Sequence, residues 1–494
     1  MSDALEKRIK KHIIGKPHRF LAVSPLGFEQ TLARELDCIL GKNATEPPHV
    51  TGDGKVEFTT KLTEAWKAVA ISRIANRVLM EVASFKAENF RELEKKASEI
   101  PWELYLDANV IPSRARDPVK FTNALNIHVT CKHSRLYHSD AIAERLYNVI
   151  AQSNIPQSEA SSEGKARPHT PKPDSSGDPI PQNLYVNFLD DRCTIWLDLA
   201  GEELYKRGFE RFVNDAPLKE TIASAMIFEA FHFLPSTSCC LLDLMSGSGT
   251  FSLESACIAN KIIPGTCRDF ALKHQPAFKE ATWNFLIRQE TRDERRENST
   301  SAPVPPNKAK SNTSTFVTLS ETKGPVKSCN TFATIAKILT SDISERAVSI
   351  IKHNIKCSPL AQIAPNKTTP TISPQLRDFF SYTAKEIVDA CDDASPVLVL
   401  NPPYGKRLDF DAPKLYTQIG KKLTELARDL RNLGKSLTVA ILAPKDDTRD
   451  GAKYTCTANL MRECPALSTE INPTAKVVQT SHGGFSLNAF FATI

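Results

Sequence analysis

The strongest constraint on the fold is a short apolar run that ends in a rigid turn: residues 397–400 (VLVL) followed by residues 401–404 (NPPY). A short aliphatic run rich in β-branched residues is typical of a buried parallel strand. Proline fixes its own φ and drives the preceding residue towards the extended region, so the chain is stiff directly after this strand. Ligands of open α/β sheets bind at the carboxyl ends of the strands. An amide oxygen, prolyl-segment carbonyls and a flat ring at that place favour a planar ligand with an amino group, such as a nucleobase.

The length and composition indicate a multidomain globular protein. A chain of 494 residues is too long for one core, and 41% hydrophobic with 24% charged residues is ordinary for a globular protein. The net charge of +6 is compatible with a nucleic-acid partner but does not indicate one by itself. No apolar run approaches the length of a membrane span, and no signal-peptide core follows the basic residues 7–16, which we interpret as a solvated tail. We therefore expect a cytoplasmic protein without a membrane partner.

The cysteines do not predict a metal centre. Twelve cysteines are scattered along the chain, no CxxC motif occurs, and the adjacent pair Cys239 and Cys240 lies in an apolar run. We interpret them as small buried side chains in a reducing compartment.

The first two hundred residues predict an α+β region. Residues 20–23, 52–58 and 78–82 have strand patterns, and helical periodicity covers residues 28–40 and 62–74 between them. A further strand at 124–129, a helix at 140–150 and a hairpin around Asp190 and Asp191 follow. Residues 151–182 are rich in Ser, Pro, Gly, Lys and Asp, and we expect a disordered insertion there. Residues 291–330 are rich in Ser, Thr and Pro, and we expect this second insertion to be a mobile loop.

The remaining residues predict a doubly wound α/β domain. A helix is expected to begin at residues 215–217, with proline in its first turn. Strand patterns follow at 241–244, 336–339, weakly at 371–372, and at 397–400, 437–442, 476–479 and 488–492. Helical stretches separate the earlier strands, as in a parallel sheet with helices on both faces.

A glycine turn follows the first of these strands. Asp243 is followed by Gly247, Ser248, Gly249 and Thr250, and then by a helix. Glycines permit a tight turn and a close approach of a ligand to the backbone, and the helix start offers free N–H groups. Ser252 replaces the third glycine of the dinucleotide fingerprint, and the lysine of a P-loop is missing. An ordinary strand-to-helix turn explains the pattern equally well.

Acidic residues follow the next two strands. Asp342 lies where an acid would bind ribose hydroxyls, and Asp378 precedes two phenylalanines that would suit an adenine. A helix cap is the alternative for each. We expect Glu254, one turn into the helix after the glycines, to face solvent, and a polar group that supports the site from behind is the alternative. Arg135 and Tyr137 belong to a basic and aromatic stretch that suits either RNA contacts or a polar loop before a helix.

These motifs together resemble a class I S-adenosylmethionine-dependent methyltransferase that acts on an exocyclic amine. The wider resemblance is to THUMP-domain RNA guanine-N2 methyltransferases, in particular the bacterial 23S rRNA group. The supporting segments are residues 25–29 (PLGFE), 72–78 (SRIANRV), 134–138 (SRLYH), 207–209 (RGF) and 216–220 (APLKE). Residues 243–247 (DLMSG) depart from the usual Asp-Pro-x-x-Gly but keep the glycine.

The resemblance implies a fold, a donor and a division of labour. A Rossmann-like seven-stranded methyltransferase domain (201–494) would follow a ferredoxin-like part (1–60) and a THUMP RNA-binding domain (61–200). S-adenosylmethionine would bind without a metal, and a flipped guanine would lie in the site. The residues implied for the donor are Asp243, Gly247, Ser248, Gly249, Thr250, Asp342 and Asp378. Those implied for catalysis are Asn401, Pro402 and Tyr404, and those for substrate binding are Pro403, Arg135 and Tyr137.

The expected substrate is a guanosine of 23S rRNA, in the rRNA itself or in a large-subunit assembly precursor. One catalytic domain implies one modification. Three alternatives stay open: a tRNA guanine-N2 methyltransferase, a DNA adenine or protein glutamine methyltransferase, and a non-catalytic RNA-binding ribosome-assembly factor. Methylation assays on each substrate class separate them.

Overall fold

The computed structural model describes residues 3–107, 110, 125–153, 181–213, 217–297, 333–362, 370–404, 411–446 and 456–494. Most of the two expected insertions, 151–182 and 291–330, lies outside these residues. Their ends are ordered, since one helix reaches Ser153, another reaches Glu297, and a strand begins at Gln182.

The amino-terminal half forms a seven-stranded sheet in the order β2-β3-β1-β4-β7-β6-β5. Its strands are β1 (Pro17–Val23), β2 (Ala44–Gly52), β3 (Lys55–Lys61), β4 (Arg77–Lys86), β5 (Leu125–Lys132), β6 (Gln182–Leu189) and β7 (Arg192–Asp198). The helices are α1 (Asp3–Ile9), α2 (Glu29–Leu40), α3 (Leu62–Ile71), α4 (Phe90–Ser98) and α5 (Ser139–Ser153). Strand β4 pairs with β1 on one side and β7 on the other, so the sheet is continuous. The division of the chain after residues 60 and 200 stays a prediction.

Two expectations for this half are wrong. The basic amino terminus is not a solvated tail, because α1 and the π-helical turn Lys10–Ile14 bury Ile9 and Ile13. Strand β2 was not expected, since two prolines interrupt its apolar pattern. It is an edge strand with three register shifts against β3, the kind of strand in which proline is tolerated. The hairpin around Asp190 and Asp191 is confirmed, and both residues have positive φ.

The carboxy-terminal half forms a second seven-stranded sheet in the order β10-β9-β8-β11-β12-β14-β13. Its strands are β8 (Ser238–Asp243), β9 (Thr334–Asp342), β10 (Gln375–Leu376), β11 (Ser395–Leu400), β12 (Thr438–Pro444), β13 (Lys476–His482) and β14 (Phe485–Thr493). The helices are α6 (Glu220–Phe231), α7 (Thr250–Ala259), α8 (Glu280–Glu297), α9 (Glu345–Cys357), α10 (Ala384–Cys391), α11 (Ala412–Asn432) and α12 (Cys456–Glu463). Strands β8 to β12 pair in parallel, and β14 runs antiparallel to β12 and β13. This is the expected doubly wound domain.

The strand order reverses between β8 and β11. The chain runs from β8 outwards to β9 and β10, then returns to β11 on the other side of β8. Ligands of such sheets bind in the crevice outside this switch point. The glycine turn after β8 and residues 401–404 after β11 therefore flank the same crevice.

Two boundaries differ from the sequence prediction. Helix α6 begins at Glu220 with Lys219 as its cap, so Pro217 precedes the helix. All twelve residues of α6 are buried, and a helix enclosed on every side loses the periodicity that marks its ends. Strand β10 is a two-residue strand at Gln375 and Leu376, after the expected residues 371–372. None of the helices in the described part of the chain has an apolar stretch long enough to cross a bilayer.

Buried ion pairs and apolar contacts join the two halves. Glu254 on α7 is only 4% exposed and accepts hydrogen bonds from Arg207 (3.0 and 3.2 Å) and Ser224 (2.7 Å). Arg73, after α3, lies 3.6 Å from the same carboxylate, and its carbonyl accepts a bond from Arg207. The expectation that Glu254 faces solvent is therefore wrong. Burial would raise the pKa of Glu254, but the charges of Arg207 and Arg73 lower it below its ordinary value.

Candidate active site

The glycine turn combines left-handed backbone with close packing. Gly247 and Gly249 have φ of +54° and +78°, values that side-chain-bearing residues rarely adopt. A Cβ atom on Gly249 would lie 2.9 Å from Ile351 of α9, whereas a Cβ on Gly247 would meet nothing within 4 Å. Gly249 therefore packs against the domain, and Gly247 borders open space where a ligand can approach the backbone.

Asp342 is joined directly to this turn. One oxygen of its carboxylate accepts from the Gly247 N–H at 2.8 Å, and the other accepts from the Ser344 N–H at 2.9 Å. The Ser246 side chain and N–H also donate to the Ser341 carbonyl. Because each carboxylate oxygen has two lone pairs, Asp342 retains acceptors for a ligand. The structure thus brings the acid after β9 to the glycine turn after β8.

Ile343 is a neighbour of this turn that the sequence analysis missed. Its side chain is 72% exposed although it is large and aliphatic. The sequence signal for it is a large aliphatic residue directly after the acid that ends a strand. It offers an apolar surface beside Asp342 for a flat group.

Asp243 supports the turn from inside the domain. It is 1% exposed, and one carboxylate oxygen accepts from the Ser252 hydroxyl at 2.6 Å and the Ser252 N–H at 3.1 Å. Burial raises the pKa of Asp243 to about 7, with the Asp342 charge adding to the rise and the Ser252 hydrogen bonds opposing it. The carboxylate holds the first turn of α7 and positions the glycines.

Ser248 and Thr250 are tied to an arginine that the sequence analysis did not select. Arg211 donates to Thr250 Oγ1 at 2.9 Å and to Ser248 Oγ at 3.4 Å, and it pairs with Glu220. Arg211 lies in the segment that leads into α6. This segment therefore closes one side of the glycine turn.

Asp378 serves as a cap. Its side chain accepts from the Phe380 N–H at 3.0 Å and begins the 3₁₀ turn Phe379–Ser381. It follows β10, which pairs with β9 at Leu376 and Asp342, so it lies at the same edge of the sheet. A cap accounts for this geometry, and a role in binding a donor stays a prediction.

Residues 401–404 leave β11 at the other side of the crevice. Asn401 is half-buried, and among the described residues its side-chain oxygen is a buried acceptor without a hydrogen-bond partner. Pro402 is buried and Pro403 is exposed. An unpaired buried amide oxygen costs free energy, and such groups concentrate where a ligand completes the bonding. Gly405 lies outside the described residues.

Tyr404 is fixed by the hairpin of β13 and β14. Its hydroxyl lies 3.2 Å from Nδ1 of His482, and its ring meets that of Phe485 edge-on at 5.8 Å. Burial raises the pKa of Tyr404 to about 12, so its hydroxyl remains protonated. His482 also makes a hydrogen bond to the Pro217 backbone, while burial and the Lys219 charge lower its pKa. Neither His482 nor Phe485 was selected from the sequence, because only the folded hairpin brings them to Tyr404.

Arg135 and Tyr137 lie elsewhere, between β5 and α5 of the first sheet. Arg135 pairs with Glu88 and lies 3.7 Å from Asp191, and Tyr137 is 66% exposed beside the ring of His138. The structure places both on the surface of the amino-terminal half, apart from the crevice of the second sheet.

Two family models match the chain. The RMKL-like methyltransferase domain matches residues 207–445, and the RlmL ferredoxin-like domain matches residues 19–79. These ranges contain the crevice of the second sheet and strands β1 to β3 of the first.

Several curated proteins are similar in sequence. A protein named ribosomal RNA large subunit methyltransferase K/L from Allochromatium vinosum is 26% identical over 468 residues, 92% of this chain and 52% of its own. The protein of that name from Alteromonas mediterranea is 31% identical over 239 residues, 48% of this chain and 30% of its own. YpsC of Bacillus subtilis, provisionally named an RNA methyltransferase, is 26% identical over 413 residues, 83% of this chain and 86% of its own. The chain spans about half the length of the Allochromatium relative.

Solved structures share the fold. A possible methylase from Clostridium difficile 630 superposes with a TM-score of 0.61 at 19% identity, covering 97% of this chain and 98% of the other. SMU.472, described as a methyltransferase and solved in complex with SAH, gives a TM-score of 0.61 at 20% identity with the same coverage. Such low identities establish the fold alone. Residues 207–445 of this chain therefore match the RMKL-like methyltransferase domain, and a match to the ferredoxin-like domain of the RlmL type, residues 19–79, precedes them.

Proposed function

We propose that this protein transfers a methyl group from S-adenosylmethionine to the exocyclic 2-amino group of a guanosine in structured RNA, with 23S rRNA or its large-subunit precursor as the substrate. The observation that carries the proposal is the buried side-chain oxygen of Asn401 at the switch point of the second sheet, which has no hydrogen-bond partner among the residues that the structure describes. A ligand with an N–H group can donate the missing hydrogen bond to this oxygen, and an amino group has such an N–H.

The residues on the β8 and β9 side fit the methyl donor. Gly247 borders open space, Asp342 has acceptors for ribose hydroxyls, and the exposed Ile343 suits the face of an adenine. Asp378 lies at the same edge beside Phe380 and is proposed to accept from the adenine amine. The donor supplies an already activated methyl group on a sulfonium. Ser248 and Thr250, held by Arg211, keep the turn in place.

The residues on the β11 side position the amine. Asn401 Oδ1 and the Pro402 carbonyl would accept its two hydrogens, which directs the nitrogen lone pair away from both acceptors. Tyr404 would stack on the flipped base, with Pro403 at the exposed rim. The transfer would form a bond from this nitrogen to the methyl carbon and break the carbon–sulfur bond, so that S-adenosylhomocysteine leaves and the nitrogen releases its proton to water. Positioning supplies most of the acceleration, so no strong base is needed.

The amino-terminal half is proposed to hold the RNA. A relative named for large-subunit rRNA methylation matches 92% of this chain, and the RlmL ferredoxin-like model matches residues 19–79, a part of the first sheet. Arg135 and Tyr137 lie on its surface, where they are available for phosphate and base contacts. Such contacts weaken as salt rises, because the protein displaces counterions from the phosphates.

The decisive assay supplies tritiated S-adenosylmethionine with rRNA, tRNA, DNA and ribosomal protein in parallel. We expect label in rRNA, recovered after digestion as N2-methylguanosine. Label confined to tRNA would replace the rRNA substrate, and label confined to DNA or protein would contradict the RNA proposal. Absence of transfer to all four, with RNA still bound, would favour a non-catalytic binding protein.

A further inference from the structure

A second cluster of reactive side chains lies beside the glycine turn. Glu210, His353 and Cys357 each offer one ligand atom, and these atoms lie within 4.8 Å of one another. His353 and Cys357 are four residues apart on α9, so they share one face of the helix. Glu210 comes from the segment that also carries Arg211. The proposed methyl transfer uses none of the three.

The geometry of the pair on α9 suits a tetrahedral ion. Nε2 of His353 lies 3.3 Å from Sγ of Cys357. Zinc bonds of roughly 2.0 Å to nitrogen and 2.3 Å to sulfur at a tetrahedral angle would separate these atoms by about 3.5 Å. The observed distance between the two ligand atoms is therefore close to the distance that a shared zinc ion requires.

The surroundings hold the ligands in place. Phe212 stacks on His353 with ring centroids 3.9 Å apart and planes 7° apart, which fixes the imidazole. Asn354, the residue after His353, accepts from the Phe212 N–H and donates to the Phe212 carbonyl. The same amide donates to the Ser248 carbonyl of the glycine turn. The segment with Glu210 is thus docked on α9 by bonds that do not involve the three ligands.

We propose that Glu210, His353 and Cys357 form a zinc site that fastens the segment before α6 to α9. Thiolate, imidazole and carboxylate together favour zinc over magnesium or calcium, which take oxygen ligands. A water molecule would complete four-coordination. Glu210 directly precedes Arg211, and His353 directly precedes Asn354. Both Arg211 and Asn354 donate hydrogen bonds to the glycine turn. Zinc would therefore stabilise the turn without entering the methyl-transfer reaction.

This site could not be predicted from the sequence, because His-x-x-x-Cys without a CxxC motif is common and Glu210 lies far away in the chain. The sequence analysis predicted no metal centre and interpreted the cysteines as small buried side chains, so this proposal departs from that expectation at Cys357.

The test is a titration of the full-length, reduced and chelator-treated protein with zinc chloride, followed by calorimetry. We expect one equivalent to bind, with proton release because the thiol must ionise. Cys357→Ser and His353→Gln should bind at least tenfold more weakly, and Glu210→Gln should show a smaller loss. Cys131→Ser, which alters a half-buried cysteine on β5, is the matched control and should bind as the parent does.

A second measurement needs no variant. Zinc should slow alkylation of Cys357 by N-ethylmaleimide at least tenfold, read by peptide mass spectrometry, and leave the Cys131 peptide unchanged. Equal zinc affinity in Cys357→Ser and the parent, or alkylation of Cys357 unaffected by zinc, would overturn the site. Either result leaves the proposed methyl transfer standing, since that rests on Asn401.

Discussion

The Glu254 side chain and the side-chain oxygen of Asn401 are both buried in the methyltransferase domain, yet their surroundings differ in kind. The Glu254 carboxylate receives hydrogen bonds from Arg207 and Ser224 and lies near Arg73, so its buried charge is paired. The Asn401 oxygen has no partner within the described part of the chain. A satisfied buried charge fixes how two elements pack, whereas an unsatisfied acceptor carries a free-energy cost that only a ligand removes. The contrast separates Glu254, which holds the fold together, from Asn401, for which we propose a role in the reaction.

The largest effect is expected on stability. Glu254→Ala leaves Arg207 buried without its partner, and breaking a pair of this kind costs about 3–5 kcal/mol. Urea denaturation should show this loss, while the remaining folded enzyme keeps its turnover. Glu6→Ala, which removes an exposed pair with Lys279, is the control and should change stability little. A loss of turnover with unchanged stability would reverse the assignment of Glu254.

The second effect is expected on catalysis. Asn401→Ala should lower kcat by about 10²–10³-fold, the cost of one preorganised polar group at a reacting centre. Stability should stay within about 1 kcal/mol, because no bond in the described structure is lost. Asn459→Ala is the matched control, since its amide is bonded to Pro413 and Arg462. It should destabilise the fold and spare kcat per folded molecule.

The third test applies the contrast to the two glycines. Gly249→Ala places a Cβ 2.9 Å from Ile351 and should destabilise the domain by about 1–3 kcal/mol through overpacking, beyond its backbone strain. The Cβ of Gly247→Ala would meet open space, so this substitution should lower the stability only through its backbone strain, by about 1–2 kcal/mol. Its methyl group should instead weaken binding of S-adenosylhomocysteine, measured by calorimetry. Equal effects of both variants on ligand binding would contradict this division.

The smallest effect concerns His482. His482→Ala removes one hydrogen bond to Tyr404, worth about 1 kcal/mol, so kcat/KM should fall by roughly fivefold. His482→Gln keeps a donor for Pro217 and an acceptor for Tyr404, and should restore most of the activity. A similar loss in both variants would show that the bond does not position Tyr404.

His482 also predicts a pH dependence. Its pKa is lowered in the folded protein, so the folded state prefers the neutral imidazole. This contribution to stability is present above the unfolded value of about 6.5 and is lost as pH falls through the folded pKa. His482→Gln should flatten the fall of the melting temperature between about pH 7 and pH 5. An unchanged slope would exclude His482 as its source.

The strands that position the site could be predicted from the sequence, because aliphatic runs and strand-end residues mark them directly. Strand β11 and residues 401–404 illustrate this, as do β8 and the glycine turn. The wrong expectation for Glu254 and for the start of α6 has a physical cause. On α6 and α7 every face is buried, so no polar stripe distinguishes an inward Glu254 from an outward one.

The parts of the site that were missed depend on contacts between distant residues. His482 reaches Tyr404 across 78 positions, and Arg211 reaches Thr250 across 39. Neither side chain differs locally from an ordinary polar surface residue. Only the pairing of β14 with β12 and the docking of the segment before α6 bring them to the crevice.

The central place of β4 in the first sheet has a consequence for synthesis of the protein. Leu79 of β4 pairs with Asp198 of β7, so one edge of β4 stays unpaired until more than a hundred further residues have been made. An open strand edge can pair with other nascent chains, and native strands guard against this with charges. Strand β4 carries the charged residues Arg77, Glu81 and Lys86. These charges would discourage its open edge from pairing with nascent chains on the same polysome.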